Sequence, residues 1–321
     1  MAHQVENMFS VKEVPWHQLG KIIQNAPTIE AGIKLAGLDW KVRMEAMQLA
    51  DGRKCQTRAV IRETDNKILG EVGRIYTPLQ NEKAFNFFQP FVDSGEVTLE
   101  TAGSLDGGKK IWVLAQLNRD PMEISPNDFV RKYLLLTNRH DGIASAMVGF
   151  SPIRVVCANT LAAAIGATDS ALLRVRHTAK IEIALDKVRE MVNVANQNFE
   201  STGEQYKAMV RMGVREADLK NYVRLVFYPN VTKEEITERQ QTRLDSLTQN
   251  ITKLFETGFG SDLVGSRGTM WGLYNGVTQY LSHEANKDAD SRVNSLWFGN
   301  NKAVNARAMK VAVTMSAGGA I

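Results

Sequence analysis

The sequence predicts an α+β fold: antiparallel hairpins and a meander with packed helices in the N-terminal half, then a mainly helical C-terminal half. Apolar residues alternate with polar ones in the first half and recur every three or four residues in the second. Turn dipeptides such as Asp51-Gly52 separate the alternating runs. The composition, 44% hydrophobic and 23% charged, is that of a folded globular protein. For 321 residues we expect two domains, 1–180 and 181–321.

A short helix and a three-stranded meander begin the chain. Apolar spacing predicts the helix over 28–35, with Gly37 ending it. Period-2 alternation then predicts strands over 40–46, 55–62 and 68–74, because alternation marks strands with one buried face.

A phenylalanine-rich helix follows, with Asn81 as its N-cap and Pro90 kinking or ending it. Two further hairpins turn at glycine-containing sequences. The remaining predicted elements of this half are the hairpins 97–102 with 110–117 and 131–137 with 144–150, and a helix over 158–165.

The second half shows helical periodicity. Apolar residues step by three and four over 185–199 and again over 244–254. Thr232 and Glu235 have the spacing of a capping box. Later helices are predicted over 270–281 and 303–315.

Positive charge is concentrated in one part of the chain. The formal net charge is +4, and residues 131–180 contain seven Lys and Arg residues against only Asp141 and Asp169. Such a local excess is typical of a surface that binds a polyanion. A solvated basic face without a partner is the alternative reading.

We predict that this basic block contacts nucleic acid. Arginine and lysine at hairpin tips suit phosphate contacts, and Arg174 and Arg176 would share one face of an extended segment. Trp112, Tyr133 and Phe150 could stack bases, although core packing is the alternative for them. The predicted nucleic-acid-binding residues are Lys109, Lys110, Arg131, Lys132, Arg139, His140, Arg154, Arg174, Arg176 and His177.

The sequence contains no recognisable catalytic constellation. Histidines with metal-site spacing are missing, so we expect neither a metal nor a cofactor. Cys157 precedes a predicted helix, and a hydrolase site with His140 and His177 is one reading of it; a buried core thiol is the favoured one. Gly258–Gly268 fits a helix–helix connection better than a nucleotide-binding loop.

Two observations address location. Only two cysteines are present, Cys55 and Cys157, so a disulfide framework is excluded and a cytoplasmic protein is expected. The longest apolar stretch without charge, 155–168, is too short to span a bilayer, so no membrane association is expected.

Several long strings resemble those of the phage/plasmid-like family of unknown function, domain of unknown function 932. The resemblance extends from about Phe9 to the last helix, implies an origin on phages, plasmids or integrated elements, and assigns no activity. The strings are Gly73–Phe91, Glu100–Val113, Asn138–Gly142, Pro152–Leu161, Arg176–Thr178, Trp271–Leu281 and Trp297–Gly299.

The order of three strands and a helix over 40–93 is also similar to the single-strand annealing superfamily that includes Redβ and RecT. That likeness implies a ring or filament with DNA in a basic groove. We therefore expect a DNA-binding recombination protein without catalytic chemistry. Its partners would be single-stranded DNA, the annealed duplex and further copies of itself. The alternative is a mobile-element interaction module that inhibits a host defence protein.

Overall fold

The computed structural model describes residues 5–12, 20–154, 173–192, 196–232, 235–285, 295–296 and 299–318. The fold is mixed α+β, as predicted, with strands concentrated in the N-terminal half and helices mostly in the C-terminal half. The strands are β1 Val5–Val11, β2 Lys21–Ile23, β3 Val42–Gln48, β4 Lys54–Arg62, β5 Ile68–Val72, β6 Val97–Leu105, β7 Lys110–Leu117, β8 Met122–Ser125, β9 Asp128–Arg139, β10 Ala146–Arg154 and β11 Leu173–Val175. The helices are α1 Ile29–Leu35, α2 Asn81–Asn86, α3 Gln89–Asp93, α4 Ile181–Val192, α5 Asn196–Arg211, α6 Glu216–Phe227, α7 Glu238–Thr257, α8 Met270–Gln279 and α9 Asn300–Ser316, and one π-helical turn, Tyr280–Glu284, follows α8.

The chain divides into two compact units that interleave in sequence. Strand β9 begins in the second unit and ends in the first. The division into domains 1–180 and 181–321 stays a prediction. Among the described residues, the first unit comprises 5–12, 20–119, 132–151 and 173–192, and the second comprises 120–131, 152–154, 196–232, 235–285, 295–296 and 299–318.

Two sheets contain the described strands. The larger has the order β11-β10-β9-β7-β6-β1-β2, with β8 added beside β9. Strand β1 runs parallel to β2 but antiparallel to β6, and β10 pairs antiparallel with β11. The predicted hairpin β6–β7 is antiparallel, and β9 and β10 of the other predicted hairpin are neighbours in the sheet. The smaller sheet is the antiparallel meander β3-β4-β5, which confirms the predicted meander.

The core of the first unit explains why the predicted base-stacking aromatics are not at the surface. Strand β7 is buried on both faces, so Trp112 is only 1% exposed. Tyr133 on β9 and Phe150 on β10 are also buried. All three residues pack inside the protein, and the stacking interpretation is therefore wrong for them.

The phenylalanine-rich helix is two short helices. Helix α2 ends at Asn86, and α3 begins again at Gln89 with Pro90 in its first turn, where proline is tolerated. Gln80 occupies the N-cap position of α2. Asn81 is the first helical residue, so the predicted capping role is wrong, and its buried amide bonds elsewhere.

Helices dominate the second unit. The apolar stripe of α7 (Leu244, Leu247, Ile251 and Leu254) is buried, as its spacing predicted. A capping box at Thr237 and Gln240 begins α7. The predicted pair also interacts, since the Glu235 carboxylate accepts from the backbone N–H of Thr232 at 3.1 Å and from its hydroxyl at 3.0 Å. Every residue of α8 is buried, and its Trp271 donates through Nε1 to the buried carboxylate of Asp128 at 2.8 Å.

Two sequence expectations concern connections. Gly258–Gly268 joins α7 to α8, as its favoured interpretation requires. The helix expected over 158–165, together with Cys157, lies outside the described residues. In the part of the chain that is described, no helix combines the length and apolar character that a bilayer crossing needs.

Candidate functional site

Two predicted arginines lie exposed at the edge of the larger sheet. Arg174 on β11 and Arg176 just after it are exposed, whereas Val175 and His177 between and beside them are buried. Because alternate residues of a strand point to opposite faces, the two guanidinium groups share the face that turns away from the apolar core containing Val175. This arrangement agrees with the alternation in the sequence.

The predicted lysines are placed differently. Lys110 is 5% exposed, and its ammonium forms an ion pair with Asp106 at 2.5 Å. Lys132 is buried, with its Nζ 4.1 Å from the centroid of the Phe150 ring. Lys109 is half-buried. The expectation that Lys110 and Lys132 project toward a polyanion is therefore wrong, because both side chains are buried, Lys110 against a carboxylate and Lys132 against an aromatic ring.

Arg139 and His140 do not form an exposed hairpin tip either. Arg139 makes a two-pronged ion pair with the neighbouring Asp141, and His140 is fully buried. Arg131 is half-buried and belongs to the second unit. Arg154 is the last residue of β10, and its side chain lies outside the described part of the structure.

Three sequence strings meet around these histidines in the first unit. Asn138 donates to the carbonyl of Leu79 at 3.2 Å, and the Tyr76 hydroxyl donates to the carbonyl of Arg139 at 3.0 Å. The backbone N–H of Thr77 donates to the carbonyl of His177 at 3.1 Å. We call Tyr76, Asn81, Asn138, His140, Asp141 and His177 the motif cluster.

Hydrogen bonds determine the tautomer of His140. The Asn81 amide nitrogen donates to the carbonyls of Leu38 and Trp40, at 3.1 and 3.3 Å, so its oxygen faces His140. That oxygen lies 2.9 Å from Nε2 of His140 and can only accept, so Nε2 carries the proton. The other nitrogen, Nδ1, therefore has a free lone pair.

The tautomer of His177 follows in the same way. Its Nδ1 lies 3.3 Å from the carbonyl oxygen of Thr77, which can only accept, so Nδ1 carries the proton. Its ring stacks on Tyr76 with 4.6 Å between centroids. Nε2 is thus the second free lone pair of the motif cluster, and it is buried.

Both imidazoles are neutral at pH 7. Burial, with a smaller effect of nearby His177, lowers the pKa of His140 to about 3 against the opposing effect of Asp141. Burial also lowers the pKa of His177. For Asp141, burial raises the pKa, but hydrogen bonds from Arg139 and from the backbone of Ile143 outweigh it, so the net pKa is low and the carboxylate is ionised.

Polar residues that the sequence reasoning did not select thus complete the site. Tyr76, Asn81, Asn138 and Asp141 all lie within the long strings quoted above, but their burial is a tertiary property that those strings do not display. Over the described ranges, no group of three or more His, Cys, Asp and Glu residues could hold a metal ion.

The family model described as Domain of unknown function (DUF932) matches residues 68–309. The chain belongs to the DUF932 family. The DUF932 match includes every residue of the motif cluster and both exposed arginines, but it leaves out β1 to β4. No curated protein and no solved structure matches this DUF932 chain.

Proposed function

We propose that this DUF932 protein binds single-stranded DNA on the exposed face of β11 and anneals or protects it without catalytic chemistry. The observation that supports the proposal is the pair Arg174 and Arg176, which are exposed on one face of an edge strand. Lys180, also exposed, extends this cationic surface along the chain. Guanidinium and ammonium groups placed in this way fit the spaced phosphates of a DNA backbone.

Electrostatics predicts how such binding responds to salt. Each phosphate neutralised on a single strand contributes about −0.7 to the slope of log affinity against log salt. Removing both arginines should therefore reduce the slope by about 1.4 and weaken binding at low salt. Binding should depend little on base sequence, because backbone contacts carry no sequence information.

Fluorescence anisotropy with a labelled oligonucleotide, measured at several salt concentrations, tests the proposal. The variant is Arg174→Ala with Arg176→Ala, and Arg53→Ala is the matched control, because its side chain is 75% exposed in the β3–β4 turn. We expect weaker binding and a flatter slope only in the double variant. Absence of binding at low salt, or an equal loss in the control, would refute the proposal.

We further propose that the protein acts as a homo-oligomer, a ring or a filament, because repeated copies of a two-arginine surface would lengthen the track for a strand. Electron microscopy of the protein with and without an oligonucleotide tests this. Separate monomers in both samples would contradict it.

A second candidate function is that of an interaction module from a mobile element that inhibits a host defence protein. The exposed isoleucines beside the motif cluster favour it, since Ile75 is 83% exposed and Ile143 is 75% exposed. Replacing both by Asp should abolish a stoichiometric complex with a purified host protein and leave DNA binding unchanged. Retention of that complex by the variant would contradict this candidate.

A further inference from the structure

The motif cluster contains three buried acceptor atoms that no donor among the described residues satisfies. They belong to His140 Nδ1, His177 Nε2 and Asn138 Oδ1, and none has a hydrogen-bond partner within the described ranges. His140 and Asn138 are fully buried, and His177 is 8% exposed. Buried acceptors without a donor cost free energy, so this arrangement points to a ligand that accepts electron pairs.

In each of the three side chains, a second atom, a nitrogen, donates a hydrogen bond that fixes the orientation of the group. Nε2 of His140 donates to Asn81, Nδ1 of His177 donates to the carbonyl of Thr77, and the Asn138 amide donates to the carbonyl of Leu79. Histidines that bind metals typically donate their second ring N–H to a carbonyl or carboxylate in this way, which fixes the tautomer and the ring orientation.

We propose that His140 Nδ1 and His177 Nε2 bind one divalent transition-metal ion of the zinc class, with Asn138 Oδ1 as a third ligand. Neutral imidazole nitrogen suits Zn²⁺, Ni²⁺ and Co²⁺. Water completes the coordination, because the described side chains offer no third His, Cys, Asp or Glu ligand.

The charge surrounding the site favours a cation. Asp141 is ionised, and its charge acts on both imidazoles, as the opposing effect on each histidine pKa shows. Two cations act on Asp141, Arg139 and Lys110, and each is already in an ion pair, Arg139 with Asp141 and Lys110 with Asp106. The bound ion would link the end of β9, with Asn138 in the strand and His140 just after it, to His177 in the segment that follows β11.

The experiment uses the full-length protein after removal of metals with a chelator. Titration with Co²⁺ should give visible absorption bands that saturate at one ion per chain, and Zn²⁺ should abolish those bands and raise the unfolding temperature. His177→Gln should lose both effects. His283→Gln is the matched control, since this histidine lies in the second unit and is half-buried.

Because His140 is fully buried, His140→Gln is compared with the wild type by circular dichroism before titration, and His177→Gln remains informative if that variant does not fold. Absence of a saturable Co²⁺ signal, or its persistence in His177→Gln, would overturn the proposal. A high-resolution structure of zinc-treated crystals with only a water between the two nitrogens would also overturn it. None of these readouts depends on DNA binding.

Discussion

Replacing Asn81 by alanine should destabilise the first unit strongly, because one buried amide satisfies three partners. The amide donates to the carbonyls of Leu38 and Trp40 and accepts from His140. Each buried group left without a partner costs about 1–3 kcal/mol. Water entering the space left by the amide recovers part of that cost, so we expect a loss of about 3–5 kcal/mol in unfolding free energy.

The matched control is Asn86→Ala in the same helix. Asn86 is exposed, and exposed substitutions usually change stability by about 0.5 kcal/mol or less. Both variants are measured by urea unfolding in the presence of a chelator, so that metal binding does not contribute. Hydrogen exchange of residues 38–42 and 138–140 assigns the loss to the first unit.

The urea midpoint of Asn81→Ala should fall by about 1 M or more, given slopes of about 1–3 kcal/mol per molar urea. A loss below about 1 kcal/mol, equal to that of Asn86→Ala, would refute the reasoning. It would mean that the amide of Asn81 does not hold the loop before β3 and the end of β9 together.

Two further predictions concern the first unit. Gly70→Ala places a methyl group against the backbone of Asp141, which cannot move aside as a flexible side chain can, so we expect the free energy of unfolding to fall by about 1–3 kcal/mol. Gly73→Ala is the control and should be nearly neutral, because open space surrounds Gly73. Equal urea midpoints for the two variants would contradict the argument. The hydrogen bond from Arg62 lowers the pKa of Asp65 from 3.8 to about 2, so this interaction stabilises the fold fully above pH 4 and is lost as the pH falls from about 4 to 2. Arg62→Gln should return the pKa toward 3.8 in an NMR titration of the carboxyl carbon, and a midpoint that stays near 2 would show that Arg62 is not the cause.

Patterns that report burial along one segment predicted local structure well. Alternation over 40–74 reflects a sheet with one buried face, and the meander β3–β5 has the expected pairing. The stripe Leu244–Leu254 reflects one buried helix face. Strands β1 and β2 were not predicted, because among the described strands β2 pairs only with β1 and β1 pairs with β6, whose nearest paired residue, Thr101 opposite Ser10, is 91 positions further along the chain.

The site was harder to predict, because charge counts do not show which charges are paired. Lys110 and Arg139 counted as free cations in the sequence, yet Asp106 and Asp141 compensate them within four residues. Arg174 and Arg176 are both exposed and Val175 between them is buried, as the alternation in the sequence predicts. The lone pairs of His140 and His177 depend on distant partners, and no local pattern displays them.

The bond between Trp271 and Asp128 has a consequence for synthesis of the protein. The two residues are 143 positions apart, and the carboxylate of Asp128 is fully buried in the finished fold. At about 5–20 residues per second, the ribosome needs roughly 7–30 s to deliver Trp271 after Asp128 has been made. During that interval β8 and the start of β9 have no helix α8 to bond, while the later residues of β9 can already pair with β7. We therefore expect the end of β9 to reach its final contacts before its beginning does during synthesis.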